Sequence, residues 1–296
     1  MMNDKKYCLV TATTENYIQW TMTMIFSFLK TNSWFKGDVI VVGQELSEIT
    51  VSRLAIFPNI IIEAPSALLQ GKLKQLAADI PSRSQAESVF YSLEIFRFSR
   101  YDKILFLDSD VIVMKNLEEL VALPGDFYAC DEWYSGKGRT MSDYAQVDHA
   151  TPGDDIISHP VNSGFMLVSG EMLIPGIYEE LVEFLDPGHW RNCSIRFTDE
   201  VVINKFFNRR IEILDARYNY RPKIAEGIFK AGKVKFEDAR IIHFLLKAKP
   251  WNFDQVYRTS IRKMEMLKAF ESWYSWYFDF LSWFHLMQRV NFVKNK

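Results

Sequence analysis

Apolar and polar positions along this chain switch between two periods. Residues 7–12 and 38–43 are short apolar runs rich in valine and isoleucine, as expected of strands covered on both faces. Between them, residues 17–29 repeat apolar side chains at three- and four-residue spacing, the period of an amphipathic helix. The alternation continues with a helix near residues 46–56 and a third strand over 59–63. Residues 84–99 read as a helix that runs into a strand over 103–107, and 127–130 and 164–168 read as later strands. Such β-α-β alternation predicts an α/β protein, a mainly parallel central sheet flanked by helices. Residues 134–160, rich in Gly, Ser, Asp and His, form the longest loop-like stretch and read as a lid or binding loop.

The pattern changes near the C-terminus. Trp273, Trp276, Tyr277, Phe280, Trp283, Phe284 and Met287 recur at helical spacing, followed by Arg289, Lys294 and Lys296. Three readings stand open: a terminal helix docked on the core, a helix lying on a membrane surface with aromatic rings at the interface beside basic anchors, and a homodimer contact. Asp279, His285 and Arg289 argue against a spanning helix.

Composition narrows the classes. A chain of 296 residues with 48% apolar residues can bury a sizeable core. A net charge of −2 gives no electrostatic case for nucleic acid. Three widely spaced cysteines suggest neither a disulfide framework nor a zinc site, which favours a reducing compartment. The apolar stretch at residues 7–10 is too short for a signal-peptide core, so the expected location is cytoplasmic, with peripheral membrane attachment if the aromatic tail provides it.

Chemistry concentrates at the end of the strand over 103–107. There Asp108-Ser109-Asp110 places two carboxylates one residue apart, where open α/β sheets bind ligands. In an extended chain both carboxylates point the same way and could share a divalent cation; turn chemistry alone also explains the pair. Asn162-Ser163-Gly164 offers amide, hydroxyl and close backbone approach just before a strand. Thr198-Asp199-Glu200 opens a helix, with threonine as N-cap and acids in the first turn. His243 sits in a short apolar strand, and Lys249 precedes Pro250 and Trp251.

Taken in order, residues 101–110, Asn162-Ser163-Gly164-Phe165, His243-Phe244 and Lys249-Pro250-Trp251 resemble glycosyltransferase family eight, the glycogenin and bacterial lipopolysaccharide glycosyltransferase group. Val10-Thr11-Ala12-Thr13-Thr14 followed by Tyr17 resembles that family's first nucleotide-binding strand and loop. The resemblance implies a GT-A fold over residues 1–255, with 256–296 as a C-terminal helical tail. It implies a retaining, metal-dependent transfer of a hexose from a UDP-sugar to a glycan, glycolipid or other acceptor, in cell-surface polysaccharide synthesis.

The resemblance also implies residue roles. Asp108, Asp110 and His243 would hold Mn²⁺ (or Mg²⁺), a mixed oxygen and nitrogen set that suits the metal. Lys249 would add a positive charge on the diphosphate, next to Leu246. Ala12, Thr13, Thr14 and Tyr17 would cradle uracil and ribose, with Ser109 at the ribose and Arg83 reaching the donor. Asn162, Ser163, Gly164, Asp199 and Glu200 would contact the donor sugar, Asp199 as a sugar ligand first and a nucleophile second. Three positions depart from the family pattern: Ser92 stands where a lysine is usual, with Arg97 the nearby candidate to compensate; Glu200 replaces Gln; Leu246 replaces Gly. Two alternatives remain, a self-glucosylating primer using a tyrosine of the 134–144 segment and a non-catalytic sugar-nucleotide binder. A Rossmann dehydrogenase is disfavoured, because Thr13-Thr14-Glu15-Asn16 stands where a Gly-rich turn would be needed.

Overall fold

The computed structural model describes residues 6–132, 161–190, 199–207, 210–245, 249–252, 254, 256, 258 and 263–294; within these, the side chains of 81–86, 189–190 and 291–294 are not described. Nine strands are described: β1 (Tyr7–Thr13), β2 (Asp38–Gly43), β3 (Ile60–Glu63), β4 (Lys103–Leu107), β5 (Val111–Val113), β6 (Phe127–Asp131), β7 (Val161–Ser169), β8 (Glu212–Leu214) and β9 (Ile241–His243). Seven make the main sheet in the order β3-β2-β1-β4-β7-β6-β8, while β5 and β9 form a separate antiparallel pair. β3, β2, β1 and β4 run parallel; β7 alone opposes its neighbours β4 and β6. The fold is therefore the mainly parallel α/β sheet expected from the alternation.

Both sheet faces are covered, which is why the strands read as continuous apolar runs. Side chains alternate between the faces with the period of two: Val10, Ile40, Phe106 and Met166 pack with the segment around Phe90 and Phe96. Leu9, Val41, Leu105 and Leu167 pack under the Ile18–Thr31 helix. Each such side chain fully buried contributes about 1.5–3 kcal/mol, so the central strands are the most firmly held part of the molecule.

Several elements differ from the expectation, among them the strand Val111–Val113 and the helices Ile177–Glu183 and Ala225–Gly232, which the sequence reading did not name. The predicted helix over 84–99 is a run of 3-10 turns, Pro81–Arg97. Three residues per turn aligns Phe90, Leu93 and Phe96 toward the core and places Glu94 and Arg97, at i and i+3, in a 2.7 Å ion pair. The helix Ala67–Asp79 and the short strand β8 carry no strong period and are absent from the sequence reading.

The aromatic C-terminal segment is a 31-residue helix, Met264–Lys294. Ala269, Phe270, Trp273 and Phe280 are buried in the core, and Trp283 stacks on Phe57 with ring centroids 5.1 Å apart. Its inner face thus docks on the fold, through the Ile18–Thr31 helix above all: Trp20 lies 5.2 Å from Trp273, and Phe26 5.3 Å from Trp283. Phe278 and Leu286 face outward at 62% and 59% exposure. Among the described residues, no helix is long and apolar enough to cross a membrane.

Candidate functional site

The order β3-β2-β1-β4 reverses direction at β1, so a crevice opens between the carboxyl ends of β1 and β4. Ser109 sits in that crevice. Its hydroxyl donates to the Ala12 carbonyl (2.5 Å) and lies 2.8 Å from Thr21 Oγ1, which in turn is 2.7 Å from Thr13 Oγ1. The first-strand loop and the aspartate pair are thereby tied into one wall. Tyr17, 38% exposed, stands at its rim and packs edge-on against Trp251, with ring centroids 5.8 Å apart.

Asp108-Ser109-Asp110 is not extended: Ser109 and Asp110 lie in a turn where the chain leaves β4 for β5. The turn reading and the metal reading prove compatible, because the turn itself joins the two sheets. Asp108 N donates to Gly164 O of β7 at 3.1 Å, and Phe244 N donates to Asp110 O at 3.0 Å. With Val111 paired to His243 in register, the imidazole arrives beside both carboxylates. His243 Nε2 is 3.1 Å from Asp110 Oδ1 and 3.6 Å from Asp108 Oδ2. The three residues can each offer one ligand atom within 4.8 Å of the others.

The residues fit a divalent cation. Asp110 Oδ1 is buried with His243 Nε2 3.1 Å away, and a cation between the two would satisfy both atoms. Carboxylate oxygens with one imidazole nitrogen make a borderline-hard donor set of the kind that suits Mn²⁺ or Mg²⁺. Lys249 Nζ contacts Asp110 Oδ2 directly and donates to Phe244 O at 2.6 Å. Pro250 and Trp251 then fasten that lysine: Tyr274 donates its hydroxyl hydrogen to Pro250 O at 2.6 Å, and Trp251 stacks on Trp20 at 4.4 Å.

Crowded carboxylates split their affinities for protons. Burial pushes the Asp108 carboxyl well above the usual carboxylate range, and the charges of Asp110 and Asp199 push it further. Burial acts the same way on Asp110, but Lys249 and then His243 outweigh it and hold that carboxyl well below the range. Asp199 is raised by burial, against hydrogen bonds from the hydroxyls of Ser92 and Ser163.

Asp199 and Glu200 open the helix Asp199–Phe206, which Asn204 pins to β7 by bonding both Val161 N and Val161 O at 2.7 Å. Ser92 Oγ donates to Asp199 Oδ2 at 2.5 Å, and Asn162 Nδ2 donates to Glu200 Oε2 at 2.9 Å. The second sequence-predicted cluster therefore borders the first. Gly164 is required by packing: a Cβ there would overlap the His243 ring.

Of the sequence-predicted residues, contacts join Thr13, Ala12 and Ser109 through Thr21; Asp108, Asp110, His243 and Lys249; Asn162, Gly164 and Glu200; and Asp199 with Ser163. Arg97 is committed elsewhere, to Glu63 and Glu94, each at 2.7 Å, and does not take the place of a cation at Asp199. Leu246, Thr198 and the tyrosines of the 134–144 segment lie outside the described residues, as does the Arg83 side chain. The sequence reading passed over Asn219 and Thr21, both buried. Asn219 bonds His243 Nδ1 at 2.9 Å and Asn162 Oδ1 at 2.8 Å.

Comparison with known proteins bears on the family and the fold. The sequence model of glycosyl transferase family 8 matches residues 8–255. Galactinol synthase 3 of Arabidopsis thaliana is 22% identical over 205 residues, which cover 64% of this chain and 58% of that protein. Glycogenin of Neurospora crassa is 20% identical over 237 residues, covering 79% of this chain and 30% of that protein. The chain thus spans less than two thirds of the length of either relative. Among solved structures, the galactosyltransferase LgtC in complex with donor and acceptor sugar analogues superposes with a TM-score of 0.62 at 17% identity, covering 90% of this chain and 95% of LgtC. The glycosyltransferase GlyE of Streptococcus pneumoniae TIGR4 gives 0.58 at 19% identity, covering 92% and 64%. At such identities the likeness shows the fold, which is GT-A.

Proposed function

The chain belongs to glycosyl transferase family 8, and from that premise we propose that it is a metal-dependent, retaining hexosyltransferase that takes its sugar from a UDP-sugar. The acceptor is a glycan, glycolipid or other hydroxyl acceptor in cell-surface polysaccharide synthesis, and any membrane contact of the C-terminal helix falls to its outward-facing Phe278 and Leu286. The observation that carries the enzymatic reading is the convergence of Asp108, Asp110, His243 and Lys249 at the crevice between β1 and β4.

Asp108, Asp110 and His243 would hold Mn²⁺ or Mg²⁺, which supplies Lewis-acid neutralisation of charge on a departing diphosphate. The rest of the work falls to this chain's own side chains. Lys249, in contact with Asp110, would add a second positive charge beside the diphosphate, where negative charge develops. Ala12, Thr13, Thr14 and Tyr17 receive the base and ribose, and Ser109 meets the ribose at the crevice wall. Asn162, Ser163, Asp199 and Glu200 orient the sugar. Asp199 acts as a hydrogen-bond acceptor for sugar hydroxyls, because its bonds from Ser92 and Ser163 hold the carboxylate fixed and temper its nucleophilicity. Retention then follows a front-face path in which the leaving phosphate guides the acceptor.

The direct test is Asp110→Ala. It should abolish Mn²⁺-stimulated hydrolysis or transfer across a screen of UDP-sugars, a screen that also identifies the donor. Full activity of that variant in EDTA sinks the metal-dependent reading.

A further inference from the structure

We propose that Asn219 is the positioning residue that presents His243 to the metal, and that Glu200 sets its orientation through Asn162. This rests on the metal-dependent reading above and adds to it two residues acting at a distance from the ion.

The argument is one of hydrogen-bond direction. Four side chains form a continuous chain: Glu200 Oε2 accepts from Asn162 Nδ2 at 2.9 Å, Asn162 Oδ1 accepts from Asn219 Nδ2 at 2.8 Å, and Asn219 Oδ1 lies 2.9 Å from His243 Nδ1. A carboxylate can only accept, so Asn162 must turn its NH₂ toward Glu200 and its oxygen inward. The Gly164 amide, donating to that same oxygen at 3.1 Å, imposes the same orientation independently. Asn219 must then turn its NH₂ to Asn162 and its own oxygen to the imidazole. Nδ1 of His243 is therefore the N–H, which leaves Nε2, 3.1 Å from Asp110 Oδ1 and 3.6 Å from Asp108 Oδ2, as the nitrogen that would ligate the metal.

The relay is built rigidly. Asn219 and His243 are each 1% exposed and Asn162 is 6% exposed, so the two inner bonds of the relay are shielded from solvent. The backbone on either side is fixed as well: Tyr220 N donates to Ile241 O at 2.9 Å and His243 N to Tyr220 O at 2.8 Å. Glu200 takes on a meaning here that a donor-sugar contact alone does not give it. The residue opposite Asn162 must present an acceptor, and a carboxylate does so without an alternative amide orientation.

The experiment is Mn²⁺ binding to the full chain with UDP present, read from the electron paramagnetic resonance signal of free Mn²⁺. UDP carries no sugar, so any contact of Glu200 with a donor hexose drops out. Asn219→Ala should weaken Mn²⁺ binding about tenfold or more, the usual cost of losing an outer-shell partner. Glu200→Leu should weaken it similarly, while Glu200→Gln, whose amide oxygen can still accept, should stay within about threefold of wild type. Because the two residues act along one path, the Asn219→Ala/Glu200→Leu double variant should bind little worse than Asn219→Ala alone. Wild-type affinity in Asn219→Ala, or fully additive losses in the double variant, overturns the relay. If Asn219→Ala fails to fold, as judged by its thermal transition, the Glu200→Leu and Glu200→Gln pair decides: equal affinities reject the relay. Failure of the wild-type protein to bind Mn²⁺ with UDP instead rejects the metal reading itself.

Discussion

Ser92 donates its hydroxyl hydrogen to Asp199 across 2.5 Å, with the two side chains 107 residues apart in sequence and both buried. A neutral donor thus stands where family resemblance led one to expect a lysine. The carboxylate is held in place but loses a full positive charge as neighbour, and burial raises its proton affinity.

Replacing Ser92 with Ala should move the acidic limb of the pH–kcat/KM profile upward. A donated hydrogen bond favours the ionised carboxylate, so its loss raises Asp199 further and a larger share is protonated at a given pH. A loss of roughly tenfold in kcat/KM is expected on that limb, since a hydrogen bond to a charged group is worth about 1.5–3 kcal/mol. An unmoved profile argues that Asp199 does not act in its ionised form.

Asp108 should be more useful than stable. Its carboxyl is raised in the fold, so its ionisation costs stability once the pH exceeds the ordinary carboxylate range, and that cost disappears as the pH falls below it. Asp108→Asn in EDTA should therefore melt slightly higher than wild type near neutral pH, the gain kept small because the Asp108 side chain is 39% exposed and solvent screens its charge. The difference should close in acid. Calorimetry with Mn²⁺ and UDP should show binding lost in the same variant.

Gly164→Ala tests the packing behind His243. The new methyl group would overlap the imidazole ring, so the ring must shift or the strand must yield. Overpacking of this kind costs about 1–3 kcal/mol. Weaker Mn²⁺ binding together with a lower melting temperature is the expected pair of results; an unchanged Mn²⁺ affinity shows that the ring position is not critical.

The C-terminal helix should matter to nucleotide binding even in detergent-free solution. Tyr274→Phe removes the bond to Pro250 O, next to Lys249. UDP affinity with Mn²⁺ should fall by up to about tenfold, as one neutral hydrogen bond is worth about 1 kcal/mol. Phe278→Ala, at an outward-facing position, is the control and should leave UDP affinity intact while weakening adsorption to anionic vesicles if the tail rests on membrane. Deletion from residue 270 onward strips Trp273 and Phe280 from the core and should yield an insoluble or unfolded protein.

What the sequence disclosed, and what it withheld, follows from the range of the interactions. Asp108 and Asp110 were legible because they end an apolar strand, and His243 because it interrupts another. The alternation of strand and helix gave the sheet because both of its faces are covered. Asn219 was not legible. It lies in the short 3-10 segment Ala216–Asn219, which has no period, and its partners stand 24 and 57 residues away. The 3-10 run Pro81–Arg97 read as an α-helix because periods of 3.0 and 3.6 place apolar residues almost alike over one or two turns. The helix Ala67–Asp79 buries only Leu69, Leu73 and Leu76 deeply, too thin a stripe to stand out.

The hydroxyls at the crevice wall obey a count of protons. Ser109 has one, and the Ala12 carbonyl takes it, so the contact with Thr21 can be made only by Thr21 donating to Ser109. The Tyr17 carbonyl, 3.1 Å from Thr21, and the Thr14 carbonyl, 3.3 Å from Thr13, compete for these protons, but the shorter hydroxyl contacts of 2.8 Å and 2.7 Å favour Thr21 donating to Ser109 and Thr13 to Thr21. The row is one-way, running from Thr13 through Thr21 and Ser109 to Ala12. A sugar hydroxyl that reaches Ser109 meets a lone pair and no hydrogen, so it must arrive as the donor. A nucleoside whose hydroxyl at that place is missing or methylated has nothing to give.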